Sequence, residues 1–385
     1  MRLLHTSDWH LGRSFHREDL LGAQGRFVDH LVETVRSPPD GRRVDAVLIS
    51  GDVYDRALPA VDAVRLCNEA LERLAELTRV VLIAGNHDSV QRLGFGSSLM
   101  DAGGVHIRTD PARVGEPVVI GDTAIYGIPY LEPEIVRNTW TLDERSHSAV
   151  LSEAVRRVRA DQVERPGTRS VVMAHAFVTG GTGGEPETSD SERDISVGGA
   201  SSVPAGLFEG IDYVALGHLH GRQRITDRVR YSGSPLAYSF SEEHHVKGSW
   251  LVDLHDGGLD AAFVESPVPR RVARVSGRID ELLSHPRFEP YEECWLQVTL
   301  TDPRRPSAAM ERLRRRFPHA LVLAFEPDGG TGDGGRTWSE RIRERSELDI
   351  AGDFVTEMSD APAAGPEREL LHEAFEGCRR KEALA

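Results

Sequence analysis

Five short apolar runs constrain this chain more than anything else in it. They are RLLH (2–5), VDAVLIS (44–50), RVVLIAG (79–85), RSVVMAH (169–175) and IDYVALGH (211–218). Each is rich in β-branched or apolar residues, and each runs into His, Ser or Gly. Helical patterns lie between them. In residues 60–77, Val61, Val64, Leu71, Leu74 and Leu77 recur at helix spacing, with Arg65, Glu69, Glu72 and Arg73 between them. Residues 144–160 form another such segment. Continuous apolar strands separated by helices predict an α/β chain with a sheet covered on both faces. The later runs RYSGS, GSWLVDL and DAAFVES follow with little helix between them. They predict a mixed sheet or a sandwich flanked by helices.

The rest of the chain divides at its prolines and glycines. Residues 180–201, rich in Gly, Ser, Thr and acids, are expected to be a mobile loop within the first domain. ESPVPRR (265–271) suits a linker. A small β-α-β pattern follows, with strands at RRVARVSG, CWLQVTLT and HALVLAFEP and helices near 278–284 and 306–316. PDGGTGDGGRT (327–337) is a second linker. Two amphipathic runs, about 340–358 and 366–381, close the chain. The expected domains are therefore 1–268, 269–328 and 338–385.

Bulk properties exclude some classes. No stretch of about 18 apolar residues exists, so no membrane span is expected. No signal peptide is expected at the N-terminus. Cys67, Cys294 and Cys378 are far apart, which argues against a disulfide framework or a cysteine zinc site. A reducing cytoplasm is the expected location. The net charge of −15 disfavours a chain that simply coats nucleic acid. It still permits an enzyme that meets phosphates through bound cations.

The ends of the apolar runs carry the chemistry. They present Asp8 and His10 (SDWHLG), Asp52 (ISGDVYD), Asn86 and His87 (IAGNHD), His175 (MAHAF), and His218 and His220 (LGHLHG). Ligands of α/β sheets gather at the carboxyl ends of strands, so these residues can converge. Carboxylate, amide oxygen and imidazole without thiolate point to manganese, iron or zinc rather than calcium. A carboxylate that bridges two cations accounts for the mixture. Taken singly, each motif is ordinary turn or strand-end chemistry. Their order and spacing together are not.

In that order, D-x-H, G-D-x-x-D, G-N-H-D, a strand-end His and G-H-x-H resemble the calcineurin-like metallophosphoesterase superfamily. HTSDWHLGR (5–13), GDVYDRALP (51–59), GNHDS (85–89), LGHLHG (216–221) and YSGSPLAYSFSEEHHVKGSWLVDL (231–254) further resemble its SbcD family of nuclease subunits. The resemblance implies a β-sandwich flanked by helices, with a small α/β capping domain and a C-terminal helical segment. It implies that Asp8, His10 and His220 hold one metal, that Asn86, His175 and His218 hold the other, and that Asp52 bridges them. The metal implied is manganese. His87 is implied to face the scissile phosphate as acid or charge stabiliser, with Asp55 orienting it. Arg56 is a candidate phosphate contact, and Asp88 is read as a turn residue or a support behind the ligands rather than a ligand.

The implied activity is a 3′→5′ double-strand exonuclease and single-strand endonuclease. It would process DNA ends or hairpins in repair and recombination with an SbcC ATPase, as a homodimer within a heterotetramer. This chain lacks a G-x-x-x-x-G-K-[ST] run, so ATP dependence is assigned to that partner. Leu370, Leu371 and Phe375 are expected to face SbcC. The helix near 58–77 suits either core packing or dimerisation. RLRRRF (312–317) suits either a solvated helix face or a DNA-backbone contact. A small-molecule phosphodiesterase or protein phosphatase on the same core is the alternative, since fold and site chemistry are shared. The two appended segments favour DNA. A non-catalytic adaptor is disfavoured, because every implied ligand and His87 are present.

Overall fold

A computed structural model describes residues 1–180, 186–192, 202–328, 348–352, 355 and 363–382. The apolar runs are strands. β1 (Arg2–Thr6), β2 (Ala46–Ser50), β3 (Arg79–Ile83) and β4 (Val105–Arg108) lie side by side and parallel. Every residue of β1 and β2 is buried, as a sheet covered on both faces requires.

A second sheet holds β5 (Val118–Ile120), β6 (Thr123–Ile128), β7 (Arg169–His175), β8 (Tyr213–Gly217), β9 (Gln223–Arg224) and β10 (Val229–Tyr231). Its spatial order is β9-β10-β8-β7-β6-β5. The chain then returns through an antiparallel hairpin, β11 (Gly248–His255) and β12 (Gly258–Glu265), which completes the first sheet as β12-β11-β1-β2-β3-β4.

The two sheets stack. Leu3, Leu48, Val81 and Val252 from one meet Ile125, Val171, Met173 and Tyr213 from the other. On the outer face of the first sheet, α1 (Leu21–Arg36) and α2 (Val61–Ala75) bury Phe27, Leu31, Cys67 and Leu74. On the outer face of the second, α3 (His147–Val163) buries Val150, Leu151, Ala154, Val155 and Val158. The Ser146 side chain caps α3 by accepting from the Ala149 N–H at 3.1 Å. The result is a helix-flanked β-sandwich. The stripe of α2 differs from the expected one. Its buried positions are Ala63, Cys67, Ala70, Leu71 and Leu74, whereas Val61 and Val64 are exposed. Three of these five positions, Ala63, Cys67 and Ala70, are small, where α2 packs on α1 and the sheet.

Residues 272–325 form a smaller parallel sheet, β13 (Val272–Gly277), β14 (Trp295–Leu300) and β15 (Ala320–Phe325). Its helices are α4 (Ile279–Ser284) and α5 (Ala309–Arg314). It has its own core around Leu282, Leu296, Val298, Leu313 and Phe317. Val272 and Trp295 also pack with Phe15, Leu236, Tyr238 and Phe240 of the sandwich. Met1–Phe325 is accordingly one compact unit, and Glu326–Ala385 another. The second contains α6 (Gly365–Glu382), on which Leu370 is exposed. Most of the run expected at 340–358, and of the 180–201 loop, lies outside the described residues. Among the described residues, no helix is long and apolar enough to cross a membrane.

Candidate metal centre

The carboxyl ends of β1, β2, β3, β7 and β8 meet at one edge of the sandwich. The His175 Nδ1, at the end of β7, lies 3.0 Å from the Ser50 carbonyl at the end of β2. At this edge the backbone takes unusual conformations. Asp8 (φ 54°), His10 (φ 45°), Asp52 (φ 49°) and His218 (φ 107°) are all left-handed. Such residues cost on the order of 1–3 kcal/mol each and persist only where neighbours enforce them.

Here the neighbours are main-chain bonds between loops. The Asp8 N–H donates to the Gly51 carbonyl at 3.0 Å, the His10 N–H to Asp52 at 2.9 Å, and the Leu11 N–H to Val53 at 2.9 Å. Asp88 adds a staple. Its Oδ2 accepts from the N–H groups of Val53 (3.1 Å) and Gly85 (2.9 Å), and its Oδ1 from Tyr54 (2.9 Å). Two glycines allow the loops to close. A Cβ on Gly85 would lie 2.1 Å from Asp52 Oδ1, and one on Gly217 would lie 1.8 Å from the Ser50 carbonyl oxygen.

Asp8, His10, Asp52, His175, His218 and His220 are all buried. His10 Nε2 and His220 Nε2 are 3.1 Å apart. Asp52 Oδ2 lies 3.5 Å from His10 Nε2 and 3.6 Å from His175 Nε2, so it stands between the two histidines. Asn86 Oδ1 is 2.9 Å from His175 Nε2. Three trios bring potential ligand atoms within 4.8 Å of one another: Asp8, His10 and His220; Asp8, Asp52 and His175; and His10, Asp55 and His87. His218 joins none of these trios. Its ring stands edge-on to His175 with centroids 5.5 Å apart, and its N–H donates to Asp8 Oδ1 at 3.0 Å.

The electrostatics suit cations. Burial pushes His10 and His218 well below the usual imidazole range, and takes His175 and His220 down to about 4. These rings are therefore neutral at pH 7, with a lone pair to offer. Burial, and then the Asp52 charge, push the Asp8 carboxyl well above the carboxylate range and Asp88 up to about 7. Crowded buried carboxylates beside neutral imidazoles are stabilised by a divalent cation. Oxygen and imidazole donors without thiolate suit manganese, iron or zinc.

His87 is half-buried beside this group. Its Nδ1 lies 2.7 Å from the main-chain carbonyl of Asp55, and its N–H donates to Asp52 Oδ1 at 2.9 Å. Nδ1–H facing a carbonyl leaves Nε2 for a substrate. The Asp55 carboxylate lies 3.8 Å from His10 Nδ1 and 3.7 Å from Arg13 Nε, and within 4.8 Å of a His87 ring nitrogen. Arg56 is largely exposed, with Asp55 Oδ2 3.7 Å away.

The basic run of the cap is engaged within the cap. Arg312 pairs with Asp280, Arg315 with Glu311 and Arg316 with Glu292, while Arg314 donates to the Ala320 carbonyl. Two further residues support the centre: Gln24, outside every quoted motif, and Tyr238, within the 231–254 stretch. The Gln24 amide donates to the Trp9 and His10 carbonyls and accepts from the Gly12 N–H. Tyr238 donates to the Trp9 carbonyl at 2.5 Å. The one sequence signal for Gln24 is a polar residue on the apolar face of α1, where the structure buries it fully.

The model of the calcineurin-like phosphoesterase family matches residues 1–222, more than half of the chain. The chain belongs to the calcineurin-like phosphoesterases. A second model, SbcD_C, described as the type 5 capsule protein repressor C-terminal domain, matches residues 268–359. The two in this order correspond to SbcD within the superfamily. This phosphoesterase is thus a phosphoester hydrolase of a divalent-metal family, and its His and Asp clusters are the candidate ligands.

Proposed function

We propose that this chain is a DNA nuclease subunit that hydrolyses phosphodiester bonds with two divalent cations, manganese in the first instance. Its reactions are 3′→5′ double-strand exonuclease and single-strand endonuclease cleavage. It processes DNA ends or hairpins in repair and recombination. The observation that carries the reading is the position of Asp52 Oδ2 between His10 and His175. The SbcD_C match beyond the sandwich supports DNA over a small ester.

In this reading Asp8, His10 and His220 hold one cation, and Asn86, His175 and His218 hold the other. Asp52 serves both. When bound, the cations supply an acidified water and neutralise charge on the phosphate. His87 presents Nε2 to the leaving sugar oxygen and donates its proton there, or stabilises charge on the phosphate. The Asp55 carbonyl holds the His87 ring for that task. Arg56, largely exposed beside Asp55, is the candidate contact for a phosphate on the flanking strand. With a net charge of −15, the chain alone binds DNA weakly, and the SbcC ATPase supplies the rest of the hold. A second copy of the chain packs on exposed apolar residues such as Leu58, Val61 and Val64. The C-terminal helix, through Leu370, Leu371 and Phe375, docks SbcC. The cytoplasm is the site of action.

The test is cleavage of end-labelled linear duplex DNA with manganese, run beside a small phosphodiester and beside His87→Ala. Shortening of the DNA that needs manganese and His87 supports the reading. Hydrolysis of the small ester alone, with and without SbcC, overturns the DNA assignment.

A further inference from the structure

The stretch 186–192 lies across one candidate ligand. Ser191 Oγ is 2.6 Å from His220 Nδ1 and 2.5 Å from Glu242 Oε1. A carboxylate only accepts, so the hydroxyl donates to Glu242 and accepts from His220 Nδ1–H. That bond assigns the proton of His220 to Nδ1 and its lone pair to Nε2. Nε2 is the nitrogen that faces His10.

The backbone of His220 is held as tightly. Its N–H donates to Glu192 Oε1 at 2.7 Å, and its carbonyl accepts from Lys247 Nζ at 3.0 Å. Lys247 and Glu242 form a buried pair, 2.5 Å apart, with side chains 2% and 0% exposed. The lysine offsets the glutamate charge and also donates to Ser234 Oγ. Other bonds seat the stretch. Arg13 Nη2 donates to the Ser191 carbonyl at 3.1 Å, the Asp190 N–H to Ser241 Oγ at 3.0 Å, and Gln223 Nε2 to the Glu187 carbonyl at 2.7 Å.

We infer that Ser191 and Glu192 strap His220 into its ligating pose, with the buried Glu242–Lys247 pair as their anchor. All four are positioning residues for the cation held by Asp8, His10 and His220. The inference rests on the two-cation reading above. Ligating histidines generally hand their second ring N–H to such a partner, and loss of the partner weakens metal binding about 10–100-fold. The hydroxyl relay is unusual in that it comes from a distant stretch, 29 residues before His220. Occupancy of one cation position then depends on the docked strap, whereas the His175 position does not. A loop with a merely structural role would not discriminate between two cations.

The test is calorimetric titration of the full chain with manganese. The unaltered chain takes up two ions. Ser191→Ala weakens one of the two binding events about 10–100-fold and leaves the other unchanged. Ser191→Thr, which keeps the hydroxyl, restores the weakened event. Thr188→Ala, at an exposed position of the same stretch, titrates like the unaltered chain. Two ions bound equally by Ser191→Ala and the unaltered chain overturn this inference alone. So does an equal loss of both events. If the unaltered chain binds no manganese, the two-cation reading fails, and the strap's role fails with it.

Discussion

Asp88 is not a candidate ligand, yet its removal is expected to be among the most damaging single changes near the centre. Its two oxygens accept three main-chain N–H bonds, from Val53, Tyr54 and Gly85. They join the loop that carries Asp52 to the loop that carries Asn86 and His87. Asp88→Ala leaves three donors without a partner. Each stranded buried donor costs about 1–3 kcal/mol. Val53 and Gly85 are buried but Tyr54 only partly so, so water recovers part of this, and the net loss is about 3–5 kcal/mol. A domain has only about 5–15 kcal/mol in all. Urea unfolding of the purified chain measures the loss through the transition midpoint. Asp88→Asn keeps an acceptor oxygen but turns an amide N–H₂ towards a donor, and should fall between. Manganese affinity should drop with Asp88→Ala, because the Asp52 and Asn86 loops lose their common clamp. A stability loss below about 1 kcal/mol with unchanged manganese affinity would refute the reasoning.

Other consequences can be measured on the same protein. His87→Ala should lower the cleavage rate about 10²–10⁴-fold while manganese binding persists. Asp55→Ala keeps the main-chain carbonyl that holds His87, so steady-state kinetics should show a smaller loss than for His87→Ala. Equal losses with intact metal binding would contradict the carbonyl's role. Replacing Arg312, Arg315 and Arg316 by Gln should not weaken DNA binding in a filter or anisotropy assay, since each already has an acidic partner in the cap. In chelator, the protein should unfold more easily at pH 5 than at pH 7. His175 and His220 are held at about 4 and His5 at about 3, chiefly by burial, and His10 and His218 are also depressed. Unfolded histidine takes a proton near pH ~6.5, so stability is full above that pH and is lost on acidification, by on the order of 3 kcal/mol per histidine by pH ~4. Asp8, Asp88 and Glu192 are held up, chiefly by burial, and act the opposite way, but five histidines outweigh three carboxylates. Urea midpoints at the two pH values decide the sign, and a higher midpoint at pH 5 would contradict it.

The sandwich was legible because its strands are uninterrupted apolar runs, and a fully covered sheet needs such runs. The candidate site was legible because each run ends in a polar residue of metal-binding type. What stayed hidden depends on contacts between distant segments. Nothing local marks Ser191, in a Gly- and acid-rich stretch, as the partner of His220. The basic run at 312–317 reads as free positive charge until the fold brings Asp280 and Glu292 beside it. The α2 stripe was misread because Ala63, Cys67 and Ala70 are small, while the larger Val61 and Val64 face outward. The Asp55 contribution is a carbonyl, which no side-chain motif encodes.

The central claim is that two cations share Asp52. Anomalous diffraction from crystals soaked in manganese tests it most directly. Two peaks are predicted, one among Asp8, His10 and His220 and one among Asn86, His175 and His218, with the Asp52 carboxylate between them. A single peak, or peaks away from Asp52, would contradict it.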